Sequence, residues 1–169
     1  LAVADKPDSQ DVCFIATRTL RDFLDGKVPM HEGDIVTATG EVVGRHEGIA
    51  FYTPGQRRGL GIAAAQRLYV QRVQPSTNTV VLGPEEGLLS SSCLVKDLNL
   101  FDGSLLSTTT EVAVKVRYAT PATPAKVEPL DDDTLLVHFS VPQRALSPGQ
   151  SAVLYRGDHV VGGGIIQPC

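Results

Sequence analysis

This 169-residue sequence lacks long apolar runs, paired cysteines and the residue spacings that are typical of metal ligands. No apolar run approaches the roughly 20 residues that cross a bilayer, so the sequence predicts no membrane-spanning helix and no membrane partner. The three cysteines, Cys13, Cys93 and Cys169, are odd in number and irregular in spacing, which argues against a disulfide framework and a zinc site. The four histidines are too scattered to suggest a metal. The cysteine usage fits a reducing compartment, so we expect a cytoplasmic protein without a metal.

An excess of basic residues is also missing, since 15 Lys and Arg stand against 19 Asp and Glu, for a net charge of −4. This balance by itself argues mildly against a nucleic-acid partner. The distribution differs from the total, because residues 45–72 hold five arginines and one glutamate. Such a basic stripe is compatible with a few phosphate contacts, and the alternative is an ordinary solvated face.

The pattern of apolar residues predicts a protein that is mainly β. One amphipathic helix is expected over residues 17–25, with Thr17 or Thr19 as its N-cap and Gly26 as its stop. Strands are expected first at residues 35–39, 41–43, 49–52, 67–73 and 79–82, and then at residues 92–98, 110–118, 125–129, 134–139, 151–155 and 159–166. The last six, with no helix among them, indicate a small closed or nearly closed barrel. We therefore expect a small β-rich middle domain with one helix over residues 1–83 and a six-stranded C-terminal β-barrel over residues 88–169.

Cys13 follows a polar segment, Asp-Ser-Gln-Asp-Val, and precedes Phe14 and Ile15. Polar neighbours favour a thiol that solvent can reach, as a sulfur nucleophile or sulfur carrier requires. Burial as a small apolar residue stays open, as it does for Cys93, which lies in an alternating strand. His46 could serve Cys13 as a general base, but we favour a histidine at a turn or on the surface.

Residues 55–61 read Gly-Gln-Arg-Arg-Gly-Leu-Gly, and we call them the glycine loop. Its glycines permit positive φ angles, and Arg57 and Arg58 offer planar donors to phosphates. It is not a P-loop, because the Lys-Ser/Thr pair is absent. From these residues alone, a structural turn and an RNA contact are equally open.

Two further places suit contact with RNA. Arg117 and Tyr118 end a strand in which Val112, Val114 and Val116 alternate inward, so Lys115 and Arg117 should point outward. Gln150 lies in a turn that opens a strand, where its amide could read one edge of a base. The alternatives are a surface pair at a strand end and ordinary turn chemistry. The three glycines at 162–164 indicate close barrel packing or a bulge.

In order and spacing, these segments resemble the C-terminal half of the tRNA-specific 2-thiouridylase family over nearly the whole chain. The matches include an Asp-Ser-x-x-x-Cys-Phe-Ile element ending at Ile15 and a Gly-Gln-Arg-x-Gly-Leu-Gly loop. The resemblance implies that Cys13 is a catalytic cysteine that receives a persulfide and passes its sulfur to the target base. It also implies contacts with tRNA at the following residues: Arg57, Arg58, Arg117, Tyr118 and Gln150.

The same resemblance implies 2-thiolation of the wobble uridine. In that family, an N-terminal ATP pyrophosphatase domain activates the uracil C2 oxygen and supplies a second cysteine. Its Ser-Gly-Gly-x-Asp-Ser signature does not occur here, and the chain begins with Leu1 rather than Met. We therefore expect an upstream domain to bind ATP, no cofactor to be bound by this fragment, and the fragment to be inactive alone. The implied partners are tRNA, a sulfur-relay protein or cysteine desulfurase, and the protein's own N-terminal domain, in the cytoplasm or in a mitochondrion.

Two other classes of function stay open. The first is a non-catalytic RNA-binding β-barrel resembling those of translation factors, in which Cys13 is inert. The second is a cysteine-nucleophile hydrolase, which is disfavoured because no His–acid pair accompanies Cys13 in the sequence.

Overall fold

The computed structural model describes residues 20–24, 26–64, 66–118 and 120–167. Within these ranges the chain is mainly β, as predicted, with one α-helix, α1 (Leu20–Leu24). The strands are β1 (Gly33–Thr37), β2 (Val42–His46), β3 (Tyr69–Gln74), β4 (Thr79–Gly83), β5 (Leu89–Leu100), β6 (Thr110–Lys115), β7 (Thr123–Asp131), β8 (Thr134–Arg144), β9 (Ser151–Arg156) and β10 (His159–Ile166). In this described part of the chain, α1 is too short to cross a membrane.

The helix predicted over residues 17–25 is present where the structure describes it. The backbone N–H groups of Lys27 and Val28 both donate to the carbonyl of Leu24, which closes the last turn. Gly26 has a φ of 68°, a conformation that glycine adopts without steric cost, so it ends the helix as predicted. The candidate caps Thr17 and Thr19 lie outside the described residues.

Strands β1 to β4 form one sheet in the order β2-β1-β4-β3, which we call the small sheet. Strand β1 pairs antiparallel with β2, and β3 pairs antiparallel with β4. The central pair, β1 and β4, is parallel. Its core residues are fully or almost fully buried: Ile35, Leu60, Val70, Val80 and Leu82.

The strand predicted at residues 49–52 is wrong, because Ile49–Phe51 is a 3₁₀-helix. The N–H groups of Phe51 and Tyr52 donate to the carbonyls of Gly48 and Ile49, so these backbone groups bond locally rather than to a neighbouring strand. Ile49 and Tyr52 still pack against the core of the small sheet. A short apolar run does not distinguish a strand from a helical turn by periodicity alone.

Strands β5 to β10 close into the six-stranded barrel that the sequence predicts, in the order β10-β5-β8-β7-β6-β9. Each pair of neighbours is antiparallel. The inward-facing positions are apolar and buried, including Val95, Val127, Leu135, Val137 and Leu154. The strand predicted to reach Tyr118 ends earlier, at Lys115.

The three glycines of β10 allow that strand to pack closely between its neighbours. Its register shifts against β5 and against β9, so a bulge is present. A Cβ atom on Gly164 would lie 2.4 Å from the carbonyl oxygen of Lys96 on β5. The close approach and the register shifts agree with the prediction of close barrel packing or a bulge at these glycines.

The small sheet and the barrel meet around a second 3₁₀-helix, Glu85–Leu88, which falls at the predicted boundary. Leu88, Tyr69 and Ala145 form a buried cluster between them. One carboxylate oxygen of Glu85 accepts from Arg144 Nε at 3.2 Å, and the other accepts from the Tyr69 hydroxyl at 3.4 Å. The division into two domains, at residues 83 and 88, stays a prediction.

Candidate nucleic-acid interface

The glycine loop is held in one conformation by its own side chains and by β3. Gln56 accepts from the backbone N–H of Thr53 and donates to the carbonyl of Arg58, each at 3.0 Å. Gly55 N donates to Val70 O, and Val70 N donates to Gln56 O. Gly55, Gly59 and Gly61 all have positive φ angles, as the sequence predicts. The loop is thus ordered by hydrogen bonds that leave its two arginines unused.

Arg57 and Arg58 are both exposed. Neither forms an ion pair with any residue that the structure describes. Arg57 lines a shallow groove of about 630 Å³ together with Gly59, Gly61 and Arg67. Two unpaired guanidinium groups on a fixed loop can each donate to a phosphate oxygen without breaking an existing interaction.

Three of the predicted contact residues line a second groove, of about 600 Å³, on the barrel. They are Arg117, Tyr118 and Gln150, and we call this space the barrel groove. Tyr118 is 66% exposed, and the ammonium of Lys115 lies 5.3 Å from the centre of its ring. Gln150 is exposed and follows Gly149, whose φ of 84° forms the turn into β9. An exposed ring, an amide and a cation in one groove can stack on a base, bond its edge and contact its phosphate.

Arg117 departs from the prediction that it simply points outward. Its side chain is partly buried, and Nη2 donates to the carbonyl of Ala145 at 2.5 Å. Val112, Val114 and Val116 alternate inward as expected. The chain leaves the strand after Lys115, and this turns the guanidinium of Arg117 towards a neighbouring segment of the barrel. Arg117 therefore has a structural bond as well as free donors.

Ala145 connects the glycine loop to the barrel groove. A Cβ atom on Gly55 would lie 3.0 Å from the methyl group of Ala145, so the root of the loop contacts this residue. Ala145 N donates to Leu88 O at 2.7 Å, and its carbonyl accepts from Arg117 and from the Ser147 hydroxyl. The two surfaces that the sequence marked as RNA contacts are thus joined through one residue.

The structure does not test the predicted role of Cys13, which lies outside the described residues, as does Cys169. Cys93 is 2% exposed and belongs to the barrel core, as predicted.

His46 was expected at a turn or on the surface, but it ends β2 and is 2% exposed. It faces Gly33 across β1 and β2, and the missing side chain at Gly33 makes room for the imidazole ring. Nε2 lies 3.0 Å from the carbonyl of Asn78 and must donate to it, while Nδ1 is buried without a partner among the described residues. The turn residues around His46 gave no indication of this packing.

The glycine loop does not fit the phosphates of ATP. A phosphate-binding loop of that kind leads into a helix N-terminus and carries a lysine, whereas this loop leads through irregular backbone to β3. The described ranges also contain no group of three His, Cys, Asp or Glu that could hold a metal ion.

Sequence reasoning missed several polar groups near these surfaces. Lys115 was expected only to point outward, yet it lies against Tyr118. Gln74 and Gln167 line a cleft between the small sheet and the barrel, and that cleft also contains Gln150. A lone glutamine in a strand or near a chain end carries no local pattern, so only the tertiary arrangement reveals this set.

Two protein-family models match the chain in consecutive parts. The tRNA methyl transferase PRC-barrel domain matches residues 21–84, and the aminomethyltransferase beta-barrel domain matches residues 90–166.

Similar proteins cover nearly the whole chain. It is 47% identical over 167 residues to the tRNA-specific 2-thiouridylase MnmA of Microcystis aeruginosa, a match covering 98% of this chain and 47% of the relative. It is 45% identical to the protein of the same name from Pelotomaculum thermopropionicum, with 99% and 46% covered. The match to the Clostridioides difficile protein of that name is 39%, with 99% and 47% covered. The chain spans about half the length of these relatives.

A small mixed sheet followed by a closed antiparallel barrel defines a β-rich module of two consecutive parts. The chain belongs to the tRNA-specific 2-thiouridylase family, and it corresponds to the C-terminal part of its members.

Proposed function

We propose that this chain is the C-terminal portion of a tRNA-modifying sulfurtransferase, which 2-thiolates the wobble uridine with sulfur carried on Cys13. The relatives' names support a transferase that acts on tRNA. The observation that carries the RNA-binding part is the junction at Ala145, where the root of the arginine-bearing loop contacts the segment bonded to Arg117.

The contacts with tRNA divide by chemistry. Arg57 and Arg58 bind phosphates, which positions the RNA without reading its sequence. Tyr118 offers its exposed ring to a base, and Gln150 offers an amide that both donates and accepts. The remaining donors of Arg117 add one phosphate contact. With a net charge of −4 and about three such contacts, the chain alone binds weakly at physiological salt.

In the sulfur transfer, Cys13 holds a second sulfur as a persulfide. The outer sulfur attacks the activated C2 atom of the uracil. The C2–O bond then breaks, and the activated oxygen departs as part of the leaving group. A second thiol then attacks Cys13 Sγ and breaks the S–S bond, so the outer sulfur keeps the electron pair and remains on the base. The two cysteines end as a disulfide, which supplies the two electrons that the transferred sulfur requires.

The family resemblance assigns the activation of the uracil oxygen by ATP to an N-terminal domain. The sulfur donor to Cys13 would be a relay protein or a cysteine desulfurase. This division makes the chain the tRNA-binding and sulfur-carrying half of the enzyme, inactive without the other half.

The hydrolase alternative needs a histidine that can take a proton from Cys13. His46 is buried, and its Nε2 already donates to the carbonyl of Asn78. A non-catalytic RNA-binding barrel would make the same RNA contacts, so only sulfur chemistry at Cys13 separates it from the proposal.

The proposal is tested with this chain joined to an ATP pyrophosphatase domain of the family, supplied with tRNA, ATP and a sulfur donor. We expect 2-thiouridine by mass spectrometry of the digested tRNA. Cys13→Ser should abolish it while changing tRNA affinity less than about twofold, because the phosphate contacts remain. Cys93→Ala, the control, should retain both. Continued 2-thiouridine formation in Cys13→Ser would exclude the proposed role.

A further inference from the structure

A cleft of about 760 Å³ lies between the small sheet and the barrel. Four glutamines line it: Gln71, Gln74, Gln150 and Gln167. No Asp or Glu is among its lining residues, although the chain contains 19 of them, and Arg72 adds a cation. The lining of the cleft therefore offers amides and one positive charge.

The amides retain free hydrogen-bonding capacity. The side chains of Gln74 and Gln150 make no hydrogen bond to any described residue, so each can donate and accept. Gln167 uses Nε2 to donate to the carbonyl of Ile165 at 3.0 Å, which leaves its Oε1 as an acceptor. An amide that presents both a donor and an acceptor matches the edge of a nucleobase.

The walls between these amides are apolar. Pro54, Pro75 and Pro148 line the cleft together with Leu88 and Leu146. A nucleobase has flat apolar faces and a polar edge, so apolar walls with amides between them suit it in both respects. A carbohydrate or a charged peptide would match only the amides or only the cation.

The cleft is adjacent to the barrel groove, because Gln150 is among the lining residues of both. An RNA strand whose backbone lies along Arg117 and Tyr118 would pass the mouth of the cleft at Gln150. A cleft of this volume is in the range of small-molecule sites and can take a nucleotide.

We propose that the cleft between the small sheet and the barrel receives an unstacked base of a single-stranded RNA segment, whose edge is read by Gln74 and Gln167. This rests on the proposed function, in which the RNA is tRNA. It adds a base-reading site to the phosphate and stacking contacts of the glycine loop and the barrel groove.

The test compares two probes of equal length and charge, a labelled oligouridylate and a ribose-phosphate strand that lacks bases. The wild-type chain should bind the oligouridylate more tightly than the abasic strand. Gln74→Leu and Gln167→Leu should each weaken oligouridylate binding about 5- to 10-fold, because an apolar side chain cannot bond the base edge. Binding of the abasic strand should not change.

Gln143→Leu is the matched control. Gln143 donates to the carbonyl two residues before it, at Val141, as Gln167 does to Ile165, but it is not among the cleft's lining residues. It should bind both probes as the wild type does. Gln74→Leu breaks no side-chain hydrogen bond to a described residue, so it keeps the test decisive if Gln167→Leu fails to fold.

Bulk tRNA, measured in parallel, separates the two proposals. If the wild-type chain binds tRNA but both cleft variants bind oligouridylate as the wild type does, the cleft does not read a base. This result would contradict the proposal and would favour a protein segment as the occupant of the cleft. The same conclusion follows if the wild type binds the two probes equally. If the wild-type chain binds no tRNA even at low salt, the proposed function itself is contradicted.

Discussion

At the scale of single residues, Ala145 shows how the candidate interface is assembled. It adopts a left-handed conformation, with a φ of 49°, which a residue with a Cβ atom rarely does. In that conformation its N–H donates to the carbonyl of Leu88, and its own carbonyl accepts from Arg117. Its methyl group lies against Gly55. A strained backbone held by several partners is a position where small changes would affect both the glycine loop and the barrel groove.

Charge reversal at Arg57 or Arg58 should weaken tRNA binding without affecting the fold, because both side chains are exposed and unpaired. In each variant, Arg57→Glu or Arg58→Glu, the slope of log affinity against log salt should become shallower by about one. Fluorescence anisotropy across a salt series measures this. Lys126→Glu, which makes the same charge change on β7, should leave the slope unaltered.

Arg117→Glu should differ from these two variants by also lowering the melting temperature. It loses the hydrogen bond to the Ala145 carbonyl, an interaction of a charged donor that contributes about 1.5–3 kcal/mol. If all three reversals bind tRNA as the wild type does in the joined protein, the arginines are an ordinary solvated face.

Single residues were the least predictable part of this molecule. The exposure of Arg57 and Arg58 follows from a glycine-rich turn, and the burial of Cys93 follows from strand alternation. The burial of His46 depends on Gly33, which lies opposite it on β1. The hydrogen bond from Arg117 depends on Ala145, which is 28 residues away in the sequence. Neither partner leaves a signal near the residue it contacts.

At the scale of elements, β10 illustrates how a closed barrel limits side-chain size. Gly164→Ala should destabilise the protein by about 1–3 kcal/mol, since the added Cβ would meet the Lys96 carbonyl at 2.4 Å and a Val95 methyl at 2.8 Å. Gly103→Ala is the control, because nothing lies within 4 Å of its Cβ position. Denaturant unfolding measures both. Equal stability of the two variants would show that β10 has room for a methyl group.

The 3₁₀-helix Gly103–Leu106 closes one end of the barrel with Leu105, which is fully buried, and Asp102 caps it. Hydrogen bonds from the Ser104 side chain and backbone, and from Arg156, lower the pKa of Asp102 from 3.8 to about 2. A carboxyl whose pKa is lower in the folded chain stabilises the fold at any pH above its pKa in the unfolded chain. This contribution disappears as the pH falls towards its pKa in the folded chain.

Asp102→Asn should therefore lower the melting temperature at pH 7, and the difference from wild type should shrink between about pH 4 and pH 2. Asp132→Asn is the control, since Asp132 makes no hydrogen bond or ion pair to the described residues. A difference that stays constant down to pH 2 would contradict the assignment of this stabilisation to the charge.

Most elements could be predicted because the barrel strands alternate cleanly and are separated by turn residues. The failure at Ile49–Phe51 has a physical cause, since a short apolar run packs equally well on a sheet as a strand or as a helical turn. The early end of β6 at Lys115 accompanies the hydrogen bond from Arg117 to the Ala145 carbonyl, a contact between residues 28 apart that the local sequence does not indicate.

At the scale of the whole molecule, the chain is acidic, with a net charge of −4, but one segment of it is basic, since residues 45–72 hold five arginines and one glutamate. Acids occur in both halves of the sequence, with three in succession at residues 131–133, whereas the residues that line the groove beside the glycine loop and the cleft include arginine and glutamine and no Asp or Glu. In the proposed function, local rather than net charge would select the RNA partner. The central step of the proposed function is the transfer of sulfur through Cys13.

The most direct measurement is mass spectrometry of the alkylated chain after incubation with a cysteine desulfurase and free cysteine. The polar segment around Cys13 predicts a reachable thiol, so we expect a persulfide on the Cys13 peptide and none on Cys93, which is 2% exposed. Cys13→Ala should remove the signal. The control is a known acceptor protein, which the same desulfurase should load with sulfur. If the acceptor is loaded but the Cys13 peptide carries no persulfide, the sulfur-carrier role is contradicted, and the alternative of a non-catalytic RNA-binding barrel is favoured.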